Sequence, residues 1–209
     1  MEQLKPVPPD AQEQALMEQP QPVTSLTDPK HLNTLVKLAG MMSRSKLVPV
    51  AYQGDPDTCF VACELANRMG VSPLMVMQNL YVVQGRPAWS GQACISLING
   101  TGLYGPLEFV YVGAPGQDDY GCYIRTIRRS DGSKITGTTV NFAMAKAEGW
   151  LDKKGSKWLT MPAQMLAYRA AAFFARVYCP HALMGLQTEE EVQDVKGYEA
   201  EKETVTISL

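Results

Sequence analysis

The chain has 209 residues, 45% hydrophobic and 19% charged, with a formal net charge of −2, which is long enough to bury one substantial core. No apolar run approaches the ~18 residues of a membrane span, and the polar opening MEQLKPVPPDAQEQ is unlike a signal peptide, so the expected setting is cytoplasmic. The charge is segregated: residues 1–30 and 188–209 together hold 4 Lys/Arg against 12 Asp/Glu, whereas 31–187 hold 15 against 9. A cationic centre between acidic ends leaves a polyanionic partner open, because local charge rather than the sum sets the field.

Residues 1–30, with prolines 6, 8, 9, 20, 22 and 29 among Gln and Glu, read as a Pro/Gln-rich tail too polar to offset its ordering entropy. A helix is expected from His31 to Ser45, with Leu32, Leu35, Leu38 and Met42 on one face. Asp55-Pro56 is a helix start, and Gly70 closes that helix as a C-cap. Ser72-Pro73 opens a short helix, and Leu80–Val83 with Trp89 reads as a hairpin around 84–87. A helix then runs from about Ser90 to Asn99. Segments 107–112 and 120–129 alternate like strands, and Ser130-Asp131-Gly132-Ser133 turns the second into KITGTTV. Asn141 caps a further helix, residues 152–157 (DKKGSK) form a loop, and Pro162 starts another helix. The expected fold class is α+β: a small antiparallel sheet with hairpins packed on several helices, one core domain between flexible acidic tails.

Gly100, Gly102 and Gly105 spell G-x-G-x-x-G, but they follow a helix and precede a strand, the reverse of a dinucleotide fingerprint, so they read as a helix end and turn. The odd set of cysteines, 59, 63, 94, 122 and 179, does not resemble a disulfide framework. Cys59 and Cys63 lie one helical turn apart, yet only His31 and His181 are present to complete a metal site, so they read as buried thiols. No nucleophile elbow, Walker A sequence or compact carboxylate cluster occurs, and no metal or other cofactor is expected.

Two groups of cations stand out. Arg125, Arg128 and Arg129 lie at the end of a strand with Lys134 across the turn, followed along the chain by Lys153, Lys154 and Lys157. They suit phosphate binding without base reading, against the plainer account of a solvated hairpin end. In MPAQMLAYRAAAFFARVYCP (161–180), Leu166, Ala170, Phe173, Phe174 and Val177 form an apolar face. Arg169 and Arg176 fall within about 20° of each other at its edge, roughly 10 Å apart along the axis. No Asp or Glu lies between Asp152 and Glu189, so any ion-pair partner must come from far along the chain. The neighbouring alanines appear in this reading as a surface open to an anion.

The order of Ala51-Tyr-Gln-Gly-Asp, VACELANRMGVSP (61–73), LYVVQGRPAWSGQA, GCYIRTIRR and KWLTMPAQMLAYRAAAFFAR (157–176) resembles the RecT/Red-beta family of phage single-strand annealing proteins, over about residues 32–192. The resemblance implies an annealing core at 31–190, a tail at 1–30 and an acidic tail at 191–209. It implies a recombinase working without ATP or metal, which coats single-stranded DNA, assembles into rings or helical filaments, and holds the annealing duplex by its backbone. A phage exonuclease and the bacterial host's single-strand-binding protein are the implied partners. Arg169 and Arg176 match basic positions of the family's DNA-contacting helix. The chain departs where the family carries Lys-Arg after the proline: here stand Ala163 and Gln164, of which Gln164 still offers a hydrogen bond to phosphate. Tyr168 and Trp89 suit stacking on bases and burial in the core equally, whereas Trp158 is assigned to the core. The rival reading is a phage structural or interaction protein that keeps the fold without annealing; a metal-dependent DNA enzyme is weaker, for want of clustered carboxylates.

Overall fold

The computed structural model describes residues 26–83, 85–152 and 156–194, and these group into two compact units divided after Gln78. In the first, α1 (Pro29–Ser43) starts two residues before the expected position, because Asp28 caps it through the Lys30 N–H and Pro29 fits the first turn. After a 3₁₀ turn at Val50–Tyr52, α2 (Pro56–Met69) has the caps read from sequence: the Asp55 carboxylate accepts from the Asp57 and Thr58 N–H groups, and Gly70 ends it at φ 64°. The short helix expected after Ser72 is α3 (Pro73–Asn79). Leu35 and Ala39 of α1 and Cys59, Ala62, Cys63 and Ala66 of α2 are buried where the two helices pack. Burial holds the Cys63 thiol up at about 11 and the Tyr52 phenol at about 12.

The second unit contains two sheets. β1 (Leu80–Val83) and β2 (Arg86–Trp89) form the expected hairpin. A strand the sequence reading did not place, β7 (Gln187–Thr188), adds to β2 in parallel. The other sheet runs β3 (Glu108–Val112), β4 (Gly121–Ile127), β5 (Lys134–Thr136), and β6 (Val140–Asn141) shares with β5 one edge of β4. The mixed α+β class is as expected. Gly100 ends α4 (Gly91–Gly100), and Gly102 turns the chain at φ 67° toward β3, which is the turn reading of the glycine triplet.

Asn141 caps α5 (Phe142–Ala147) through the Met144 N–H, and a short α6 (Lys157–Thr160) precedes α7 (Pro162–Tyr178). α7 packs on β4, α4, α6 and α8 (Glu189–Asp194). It is therefore buried on almost every side, including Ala171, Ala172 and Ala175, whose small side chains let neighbours approach. This corrects the expectation of an open alanine surface. The apolar face holds at Leu166, Ala170 and Phe174, but Val177 in the last turn is 65% exposed. Trp158 is in the core, as assigned. Close packing also explains Gly91: a Cβ there would lie 2.6 Å from the Tyr168 ring.

Candidate nucleic-acid interface

Arg169 lies inside the second unit. Its Nη2 donates to Asp194 Oδ2, and both side chains are nearly buried, at 6% and 7% exposure. The guanidinium carbon sits 4.0 Å above the Trp150 ring centre and 5.8 Å from that of Trp158, at cation–π range. Trp158 Nε1 donates to the same Asp194 oxygen at 2.9 Å. Burial lowers the affinity of Arg169 for its proton, while Glu191 and Asp194 oppose that shift.

Arg176, two turns on, is 40% exposed and donates through Nη2 to Glu191 Oε2 at 2.6 Å. That oxygen also accepts from the Thr188 N–H at 2.9 Å and hydroxyl at 3.2 Å, and the Glu191 N–H faces Thr188 Oγ1 at 3.4 Å, a reciprocal capping box. Both long-range partners that the carboxylate-free stretch required thus come from α8. The expected acidic tail from 191 onward begins instead with the buried residues Glu191, Val192 and Asp194.

Two hollows meet at Arg176. One, of about 290 Å³, is lined by Glu148, Trp150, Arg169, Arg176, Gln187, Glu191 and Asp194. The other, of about 560 Å³, shares Arg176 and Gln187 and extends to Arg86, Pro87, Gly185 and Leu186. Gln164 is exposed and donates to the Tyr168 hydroxyl at 2.6 Å, while the Tyr168 ring faces Gly91. Trp89 is only 2% exposed and donates from Nε1 to Leu183 O. Its ring offers no face to a base in this fold, so Trp89 belongs to the core rather than to a stacking platform.

The hairpin cations form a second cluster. Arg125 meets Glu108 across the β3–β4 register with two bonds, 3.0 and 2.8 Å, which hold the Glu108 carboxyl below its ordinary range. Arg125 and Lys134 line one hollow of about 310 Å³. Arg128 pairs with Asp131 at 3.2 Å, and Arg129 Nε donates to Tyr104 O at 2.7 Å. Lys157, exposed, opens α6; Lys153 and Lys154 lie outside the described residues. The sequence reading missed Trp150, Glu191 and Asp194. Only the Thr188-x-x-Glu191 spacing signalled any of them.

The second unit, then, is an α+β body with half-exposed cations at a hairpin end and around a trough at Arg176. The chain belongs to the RecT family, whose profile matches residues 33–206. Membership implies single-strand annealing in phage recombination. No curated protein and no solved structure was matched, and no helix of the described residues is long and apolar enough to cross a membrane.

Proposed function

We propose that the protein binds single-stranded DNA through its phosphate backbone and anneals complementary strands without ATP or metal, assembling on the DNA as rings or a helical filament. The observation that supports this most is the position of Arg176: within a RecT-family chain, it stands half-exposed where two hollows meet, with Arg86 along the same trough. A guanidinium suits this task, since its planar fork presents several donors to phosphate oxygens. Arg125, Arg128, Arg129, Lys134, Lys157 and Gln164 supply further phosphate contacts outside the trough, and Lys153 and Lys154 are proposed contacts as well. Arg169 joins only when its ion pair with Asp194 opens. Tyr168, partly exposed beside Gln164, is the remaining stacking candidate. A phage exonuclease and the host's single-strand-binding protein are the proposed partners, in the bacterial cytoplasm.

The test is anisotropy titration of a labelled oligothymidylate across a salt series. Backbone binding predicts affinity falling log-linearly with salt, by about 0.7 in slope for each phosphate neutralised on a single strand. No binding at low salt rejects the reading. A second reading, a phage interaction protein without annealing activity, draws on the carboxylates at the arginine pair and on Ala163-Gln164 where the resemblance expects two cations. It predicts that same negative result.

A further inference from the structure

We propose that Gln187–Asp194, comprising β7 and α8, is an intramolecular strap that occupies the arginine pair of the DNA trough and is displaced when a phosphate backbone enters. This inference rests on the DNA-binding reading above and names how that site is regulated.

Carboxylate and phosphate are alternative acceptors for one guanidinium. Glu191 holds Arg176 and Asp194 holds Arg169, so both arginines of the helix are engaged by the same short segment. Gln187 lines both hollows, and Glu191 and Asp194 line the smaller one. Withdrawal of the segment removes these walls and leaves Arg86, Arg176, Arg169 and Trp150 along one path.

The closed state is imperfectly satisfied. Arg169 Nε, Glu190 Oε2 and Glu191 Oε1 are buried without a hydrogen-bond partner among the described residues, although native interiors pair most such groups. Two buried carboxylates, Glu191 and Asp194, face the two guanidiniums, and the neighbouring Glu190 is buried as well. An incoming backbone gives Arg169 and Arg176 fresh acceptors, and release returns the buried carboxylates to water.

The backbone pairing of the segment is short. β7 pairs with β2 only at Ala88↔Gln187 and Trp89↔Thr188, and α8 is six residues long. The chain reaches β7 through Met184 and Gly185, both left-handed at φ 52° and 78°. Met184 is the one non-glycine residue with positive φ among the described residues, a conformation that β-carbon sterics disfavour and that a hinge relaxes on opening.

Hydrogen exchange of the full chain, with and without saturating oligothymidylate, tests the strap without any substitution. Amides of 188–194 are expected to exchange faster in the complex; unchanged or slower exchange there, in protein that binds, overturns the strap alone. Glu191→Gln/Asp194→Asn keeps shape and hydrogen-bond acceptors while removing the charges. It is expected to bind single strands more tightly, with a salt slope steeper by about 1.4, that is, about 0.7 for each newly available phosphate contact. An unchanged slope counts against the strap. Should the double variant fail to fold, Glu191→Gln alone is expected to steepen the slope by about 0.7, because Arg176 is already half-exposed. Wild type that binds no oligothymidylate at low salt rejects the DNA reading itself, and the strap with it.

Discussion

Arg169 and Asp194, 25 positions apart in sequence, form an ion pair that is almost wholly buried and is roofed by Trp150 on one side and tied to Trp158 on the other. A charge pair so placed is part of the packing, whatever else it does. Removing one partner strands the other in a medium that solvates it poorly.

Arg169→Ala is therefore expected to destabilise the protein by about 3–5 kcal/mol, measured by urea unfolding followed through tryptophan fluorescence. Arg169→Met/Asp194→Asn recovers part of that loss, since asparagine still accepts from Trp158 Nε1. An Arg169→Ala protein as stable as wild type contradicts the buried-pair account. Lost annealing in this variant has to be read against its stability.

Arg176→Ala separates binding from folding more cleanly. The arginine is 40% exposed but its partner Glu191 is buried; because Glu191 keeps its two bonds from Thr188, the stability cost is expected to be about 1–3 kcal/mol, below that of breaking the Arg169 pair. Single-strand affinity falls, and the salt slope becomes shallower by about 0.7. An unaltered slope in anisotropy titrations removes Arg176 from the phosphate contacts.

At the hairpin end, Arg125→Gln/Lys134→Gln is expected to leave thermal stability nearly unchanged, since exposed ion pairs contribute about 0–1 kcal/mol. Affinity for single strands drops by a similar factor for oligothymidylate and for mixed sequences, because phosphate contacts carry no sequence information. A loss confined to one sequence class contradicts backbone binding at this cluster.

Glu190 supplies a pH prediction. Burial pushes its carboxyl up, against the pull of its own backbone N–H, Lys157 and the Gly91 N–H. The folded state thus binds this proton more tightly than the unfolded chain does. Its contribution to stability is fully present below the unfolded carboxylate pKa of about 4.3 and is lost as pH rises through the raised folded value. Glu190→Gln is expected to raise the melting temperature at pH 7, with the gain shrinking as pH falls toward 4.5. A gain independent of pH contradicts the assignment.

Local chemistry makes most of the fold legible in the sequence. Asp55, Pro56 and Gly70 mark α2 because capping and left-handed closure act within a few residues, and Asn141 marks α5 in the same way. The site was less legible because its geometry is made by distant segments. The absence of acids between 152 and 189 counted against ion pairing of Arg169 and Arg176, and nothing local said that α8 folds back to pair with both. Alanines 171, 172 and 175 carry the same ambiguity: small side chains admit a ligand or a packed neighbour equally well, and here the neighbours are protein. Trp89 is compatible with either stacking or burial from sequence alone, and it is the parallel strand β7 and the Leu183 carbonyl that enclose it.

The central claim is annealing by backbone contacts, and its most direct measurement is the rate at which the wild-type protein pairs two complementary oligonucleotides in EDTA, without nucleotide, across a salt series. The account predicts a rate well above that of the protein-free reaction at low salt, lost as salt rises and weakened in Arg176→Ala. A wild-type rate equal to the protein-free reaction at every salt concentration contradicts it.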